Sequence, residues 1–168
     1  MTPQGKKLFA ELRKLAELEV QAGFTADKAG HDERHRSVSA EDGEDGTTVA
    51  HVATWNEFGT EHIPERPFMR QTVEKYGEAV LKQAERFIGD IAKEKMTADE
   101  ALRKVGAMQV GLIKSEIATG DFEENAPETV RRKNNRGKKK WKGTTATPLV
   151  DTGRMRQSVH YVVKPRKG

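Results

Sequence analysis

Two runs of apolar residues at helical spacing occupy the middle of the 168-residue sequence. The first repeats at three- and four-residue steps and consists of Met69, Val73, Tyr76, Val80, Ala84, Phe87, Ile88 and Ile91. The second follows a capping box of Thr97 and Glu100, runs to Gly120, and consists of Leu102, Val105, Met108, Leu112, Ile113 and Ile117. Because few residues separate the runs, they predict an antiparallel helical hairpin whose first helix is the main core helix.

The two outer parts of the sequence carry the strand signals. Residues 4–20 have the pattern of an amphipathic helix, and from Glu19 onward apolar and polar residues alternate as in a half-buried strand. Residues 158–163 are rich in β-branched and aromatic side chains and predict a closing strand. We therefore expect an α+β fold in one domain over residues 1–168: a small, mostly antiparallel sheet packed on the long helical hairpin, with long polar loops.

Turn-forming residues link these elements. Residues 47–58 predict a short helix that ends at Gly59, and Pro64 and Pro67 then predict a rigid, non-helical segment. We call residues 59–67 the elbow. Near the last strand, Asp151 or Thr152 is expected to cap a short helical turn.

Opposite charges separate the two parts of the chain. Residues 1–122 hold 17 Lys/Arg against 22 Asp/Glu, whereas residues 123–168 hold 13 against 4. Residues 30–46 predict an exposed acidic loop, and residues 125–147 predict a mobile basic arm without periodic structure. This asymmetry is typical of nucleic-acid-binding tails and equally of subunits that dock acidic face against basic face. Only 35% of the residues are apolar, so the core must be lean.

Candidate catalytic and ligand-binding patterns all lack the context that they need. The Asp-Thr-Gly triplet at 151–153 is followed by too little chain for an aspartic protease, and His31 and His35 lack an identifiable third metal ligand. There is no cysteine, no Gly-x-Ser-x-Gly elbow and no phosphate-binding glycine loop. We therefore expect no enzyme activity, no catalytic residue, no cofactor and no metal. The absence of a long apolar run predicts a soluble, intracellular protein without membrane contact.

Two segments resemble a known family, the small head–tail joining and tail-completion proteins of tailed bacteriophages, also described as minor tail or virion morphogenesis proteins. The first match consists of Asn56, Glu57, Phe58, Gly59, Thr60, Ile63, Pro64, Arg66, Pro67, Phe68, Met69 and Arg70. The second consists of residues 125–129, Lys133, residues 148–155 (with Asp151, Thr152 and Gly153) and Ser158. With the helix pair between them, the resemblance covers roughly residues 18–165. We interpret the matching residues as structural: Arg66 or Arg70 is expected to bind a carboxylate such as Glu57 and hold the elbow against the sheet, or else to present charge to a neighbouring subunit.

The resemblance implies a structural virion protein of the neck or tail end, assembled in the host cytoplasm. It implies a ring, most simply a hexamer, whose partners are other copies of the chain, the head connector, and the tail tube or tail-terminator proteins. The alternatives are a tail-terminator ring protein and, in a different class, a small basic nucleic-acid-binding protein that uses the basic run around Trp141. Weak contact of the basic arm with genome DNA is compatible with the ring. The candidate interface residues are Glu41, Asp42, Glu44, Asp45, Arg131, Arg132, Lys133, Lys138, Lys139, Lys140 and Lys142.

Overall fold

The computed structural model describes residues 2–24, 48–136, 147–150 and 153–166. Within these residues the chain forms six helices and one two-stranded antiparallel sheet, an α+β fold as expected. The order is α1 (Pro3–Glu17), β1 (Leu18–Gly23), α2 (Val49–Phe58), α3 (Phe68–Ala92), α4 (Ala98–Thr119), α5 (Pro127–Arg136), α6 (Arg154–Ser158) and β2 (His160–Pro165).

The sheet joins the two outer parts of the chain. Strand β1 pairs with β2 from Leu18 opposite Pro165 to Gly23 opposite His160. Helix α1 passes directly into β1, and the backbone N–H of Arg166 donates to the carbonyl of Glu17 at 2.8 Å, which extends the ladder by one bond. The predicted helix and strands are confirmed, although α1 ends three residues before the predicted boundary and β2 begins two residues after it.

Helices α3 and α4 form the predicted antiparallel hairpin. Lys75 contacts Glu116, and the ammonium of Lys104 lies 5.7 Å from the ring centre of Phe87. The later residue of α3 thus pairs with the earlier residue of α4, so the two helices run in opposite directions. The capping box predicted at the start of α4 is present, with the N–H of Glu100 donating to Thr97 Oγ1 at 3.3 Å.

Helix α4, rather than α3, is the main core helix. It packs against α3, both strands, α1 and α6, and its buried residues are Ala98, Ala101, Gly106, Ile113, Glu116 and Ile117. A Cβ atom on Gly106 would lie 2.4 Å from the ring of Tyr161 in β2, so this glycine lets the helix approach the sheet. Helix α3 buries only Phe68, Thr72 and Ile91, because α4 covers one of its sides.

Only part of the apolar series of α3 is therefore in the core. The side chain of Val73 is 68% exposed, and those of Leu81 and Ile88 are also exposed. Helical periodicity identifies residues that share a face. It does not specify how much of that face receives a partner from the same chain.

A buried cluster lies where α2, the start of α3, the end of α4 and α6 meet. Its members are Ala53, Phe68, Ile113, Ile117, Leu149, Met155 and Val159. Phe68 is fully buried, and its ring meets that of Phe24 edge to face, with ring centres 6.1 Å apart. The cluster thus joins the elbow to the segment before β2.

The prediction that residues 125–147 lack periodic structure is wrong for their first part, because α5 is helical. Pro127 occupies its first position, Glu128 lies in its first turn, and the guanidinium of Arg131 donates to both carboxylate oxygens of Glu128 at 2.9 and 3.0 Å. Pro, an early acid and an i,i+3 ion pair favour a helix without any apolar periodicity. The acidic loop at 30–46 and residues 137–146 of the basic arm lie outside the described residues.

Candidate interaction site around the elbow

Helix α2 places the first residues of the site. The hydroxyl of Thr48 accepts from the N–H of His51 at 3.2 Å, and the N–H of Thr48 donates to Nδ1 of His51 at 3.3 Å, which together cap the helix. The helix ends at Gly59, whose φ of 72° is readily adopted by glycine. The predicted short helix and its end are confirmed.

The elbow is an ordered turn. The N–H of Thr60 donates to the carbonyl of Ile63 at 2.8 Å, and the N–H of Ile63 donates to the hydroxyl of Thr60 at 3.1 Å. A Cβ atom on Gly59 would lie 3.1 Å from the carbonyl oxygen of Ile63, so the turn closes tightly over this glycine. Pro64 and Pro67 lie in the non-helical stretch before α3, as predicted.

Glu57 is the centre of the site. Glu57 is only 5% exposed. Its carboxylate accepts hydrogen bonds from the backbone N–H groups of Met69 at 2.9 Å and Arg70 at 3.1 Å, both in the first turn of α3. The N-cap residue of α3 is Pro67, which makes no side-chain cap. Because the first N–H groups of a helix lack partners and carry partial positive charge, Glu57 of α2 replaces the missing cap.

Arg70 completes the binding of Glu57. Its Nε donates to the Glu57 carboxylate at 3.1 Å, and one terminal nitrogen donates to the Glu57 carbonyl at 2.6 Å and also binds Glu65. The hydrogen bonds to Glu57 and then Glu65 raise the pKa of Arg70. Its guanidinium carbon lies 5.3 Å from the ring centre of Phe58. Of the two arginines considered for Glu57, Arg70 is therefore the partner, and it uses one nitrogen on the carboxylate rather than two.

Arg66 has a different role. It is buried, and its Nε donates to the carbonyl of Glu123 at 2.9 Å while a terminal nitrogen donates to the carbonyl of Glu124 at 3.2 Å. Its backbone N–H donates to the carbonyl of Asn56 at 2.7 Å. Burial lowers the pKa of Arg66, an effect opposed by the nearby charge of Glu123. These contacts hold the elbow against the segment after α4, not against the sheet as predicted.

The second segment of the resemblance meets the first around the buried cluster. Leu149 and Met155 are buried with Phe68 and Ala53, and α6 packs against α2. The N-cap of α6 is Gly153, whose φ of 78° lies in the left-handed region that glycine adopts readily. The prediction that Asp151 or Thr152 caps this turn falls on residues outside those that the structure describes.

Most of the candidate interface residues lie outside the description. They are Glu41, Asp42, Glu44, Asp45, Lys138, Lys139, Lys140 and Lys142. Arg131, Arg132 and Lys133 belong to α5, and Arg131 is exposed.

The outward face of α2 was not recognised in the sequence. Trp55 is 41% exposed and Phe58 is 66% exposed, and Val52 lies on the same side of the helix. In the sequence, Trp55 and Phe58 belong to the same set of apolar residues of α2 as the buried Ala53. One signal in the sequence could have indicated the exposed apolar face. Apolar residues surround this short helix on all sides, whereas a helix at a protein surface normally has one apolar side.

The described residues hold no cluster of metal-ligating side chains. They contain no group of three or more His, Cys, Asp or Glu side chains that could hold a metal ion. His31 and His35 are outside them. In the same part of the chain, no helix combines the length and apolarity needed to cross a membrane. Comparison of the chain with protein-family models, with curated proteins and with solved structures finds no match.

Proposed function

We propose that this protein is a structural subunit of a tailed-bacteriophage virion, a tail-completion or neck component that joins the tail tube to the head connector. It acts through protein contacts in a ring, most simply a hexamer, and binds the head connector and the tail tube or tail-terminator proteins. The support begins with the resemblance, because its two segments pack around one buried cluster with Phe68, Leu149 and Met155.

The observation that carries the proposal is the exposure of large apolar side chains beside an internally satisfied elbow. Glu57, Arg66 and Arg70 are engaged by backbone and ion-pair contacts, which suits a scaffold. Trp55 and Phe58, both on the side of α2 that faces away from the buried cluster, are exposed. A ring subunit needs two different faces for its two neighbours, and contiguous exposed apolar surface marks protein contacts.

The charge distribution supports heterologous contacts. Residues 41–45 carry four acids, and residues 131–142 carry eight Lys/Arg with no acid. Opposite charges on different parts of one chain favour head-to-tail docking of identical subunits. We place the acidic residues and the basic segment at or near subunit interfaces in the virion.

Co-sedimentation with isolated phage tails, and separately with duplex DNA, tests the proposal at physiological salt. We expect saturable binding to tails at a fixed small copy number and little binding to DNA. Reversing the charges of Lys138, Lys139 and Lys140 should reduce tail binding. The same reversal at the exposed residues Lys82, Lys93 and Lys95 is a control matched in charge and should leave it unchanged.

Nucleic-acid binding is the second candidate, favoured by the basic segment that begins on α5 and contains Trp141. Lysines and arginines release counterions from a phosphate backbone, and an indole stacks on bases. Tight binding to DNA that weakens steeply with salt, without binding to tails, would replace the proposed function with this one. Binding to the head-proximal end of a completed tail tube, without binding to head connectors, would favour the tail-terminator alternative.

A further inference from the structure

Helix α2 is apolar on both of its sides. Ala53 on the inward side joins the buried cluster. On the outward side lie Val52, Trp55 and Phe58, each more than a third exposed. A helix that is apolar all round is normally covered on all sides. The outward face therefore has the composition of a buried surface without a partner among the described elements.

The aromatic side chains of this face are held in place. The ring of His51 stacks on that of Trp55, with centres 6.2 Å apart and planes 23° apart, and the guanidinium of Arg70 lies over Phe58. Ordered aromatic groups lose little conformational freedom on binding. Tryptophan and arginine are also the residue types most enriched where protein interfaces gain their affinity.

The sequence around α2 defines the charge of the missing partner. Residues 37–65 contain seven Asp/Glu and no Lys/Arg. Arg70 binds Glu57 and Glu65, but Glu61 is exposed without a salt bridge among the described residues, and Glu41, Asp42, Glu44 and Asp45 precede the helix. A partner that fits this face combines positive charge with an apolar group.

The chain itself contains a segment of that chemistry. Residues 131–142 carry eight Lys/Arg, no acid and one tryptophan, Trp141. The segment begins on α5, which packs extensively against none of the other described elements. We propose that the outward face of α2 binds the basic segment 131–142 of a second copy of this chain. The inference rests on the proposed ring assembly and names the contact that would form it.

Such a contact is heterologous, because the outward face of α2 in one copy binds the basic segment of another, and these are different parts of the chain. Each copy can bind one neighbour through its α2 face and a second neighbour through its basic segment, so the contact propagates until a ring closes. Charge attraction makes the association sensitive to salt, whereas the aromatic contact makes it sensitive to truncation of Phe58 or Trp55.

Sedimentation velocity of the full-length protein is the first test. We expect wild-type self-association that weakens as salt rises. Phe58→Ser should weaken it by about tenfold or more. Leu81→Ser is the matched control, because Leu81 on α3 has the same 66% exposure, and it should leave self-association unchanged. Circular dichroism verifies that both variants remain folded.

A mixing experiment distinguishes binding between copies from binding within one copy. A variant with Lys138, Lys139 and Lys140 changed to Glu keeps the α2 face, whereas Phe58→Ser keeps the basic segment. Each variant alone should be monomeric, and an equimolar mixture should form a dimer but no larger species. A mixture that stays monomeric overturns the proposal and indicates that the segment binds its own chain or a different partner.

The remaining outcomes are also decisive. A wild-type protein that is monomeric at its highest attainable concentration overturns the proposal, as does Leu81→Ser weakening association as much as Phe58→Ser. Co-sedimentation with tails separates this result from the proposed function. If the mixture forms the dimer but tails bind no protein, the contact stands and the proposed function fails. If tails bind wild type and Phe58→Ser equally, the function stands and the contact fails.

Discussion

Glu57 and Glu116 are both buried carboxylates paired with a base of α3, but they are held differently. Glu57 accepts from two helix N–H groups and from Arg70. Among the described residues, Glu116 accepts from one side chain, that of Lys75, whose pKa is raised chiefly by this hydrogen bond. Several fixed donors offset the cost of burying a charge better than one flexible ammonium does. The first carboxylate therefore organises a chain reversal, whereas the second links two helices that already pack together.

Removing the Glu57 carboxylate should have the largest effect. Glu57→Ala leaves the first turn of α3 uncapped and Arg70 without its buried partner, so we expect a loss of about 3–4 kcal/mol in the free energy of unfolding. Urea denaturation followed by circular dichroism measures it. Glu61→Ala, an exposed acid three residues past the same helix, should change stability by less than about 0.5 kcal/mol. Equal stability of the two variants would contradict the role of Glu57.

Arg66 tests whether the elbow depends on a second buried charge. Arg66→Lys removes the fork that reaches two carbonyls, and we expect a loss of about 2–3 kcal/mol in the free energy of unfolding. Urea denaturation measures this loss, which arises because the segment that follows α4 loses its attachment to the elbow. A lysine variant as stable as the wild type would show that positive charge alone suffices at this position.

Replacing Glu116 should have a smaller effect, although this residue is only 3% exposed. Glu116→Leu removes the buried charge and leaves Lys75, which is half exposed, free to hydrate. We expect a change in unfolding free energy within about 1 kcal/mol in either direction. Lys75→Met leaves the buried carboxylate alone and should be more destabilising than Glu116→Leu. A loss as large as that of Glu57→Ala would remove the distinction between the two carboxylates.

Glu100 provides the exposed counterpart of Glu57, because it also caps a helix. The N–H of Thr97 donates to its carboxylate at 2.9 Å, and this bond lowers the pKa of Glu100. A carboxyl group whose folded pKa is depressed stabilises the protein above its unfolded pKa of about 4.3, and this contribution is lost as the pH falls through the folded value. Glu100→Gln should therefore reduce the acid sensitivity of stability below pH ~4.3, with little change in helix content at neutral pH. Unchanged acid sensitivity would assign that sensitivity to other carboxylates.

Local chemistry predicted most of the secondary structure. Thr97 and Glu100 specify the start of α4, Gly59 the end of α2, and Pro67 the start of α3, because each acts on backbone groups a few residues away. The polar α5 was missed because its helix depends on its proline, its early acid and an ion pair rather than on apolar spacing.

Contacts between distant parts of the chain could not be predicted. Arg66 binds carbonyls 57 and 58 residues further along the chain, and neither its type nor its neighbours specify that partner. The exposure of Val73 depends on the position of α4 and the sheet, which no local pattern determines. The sequence did identify Glu57 and Arg70 as candidate partners, although not the helix cap that Glu57 provides.

The pairing of β1 with β2 also orders the events of synthesis. The α3–α4 hairpin consists of contacts between neighbouring segments and can form as soon as both helices have left the ribosome. Strand β1 is made early, but its hydrogen-bonding partner is β2, which is made after all the described helices. Until then the edge of β1 is open to other strands. During synthesis the sheet can therefore close only after β2 has been made, and we expect chains halted before β2 to be the ones that chaperones retain.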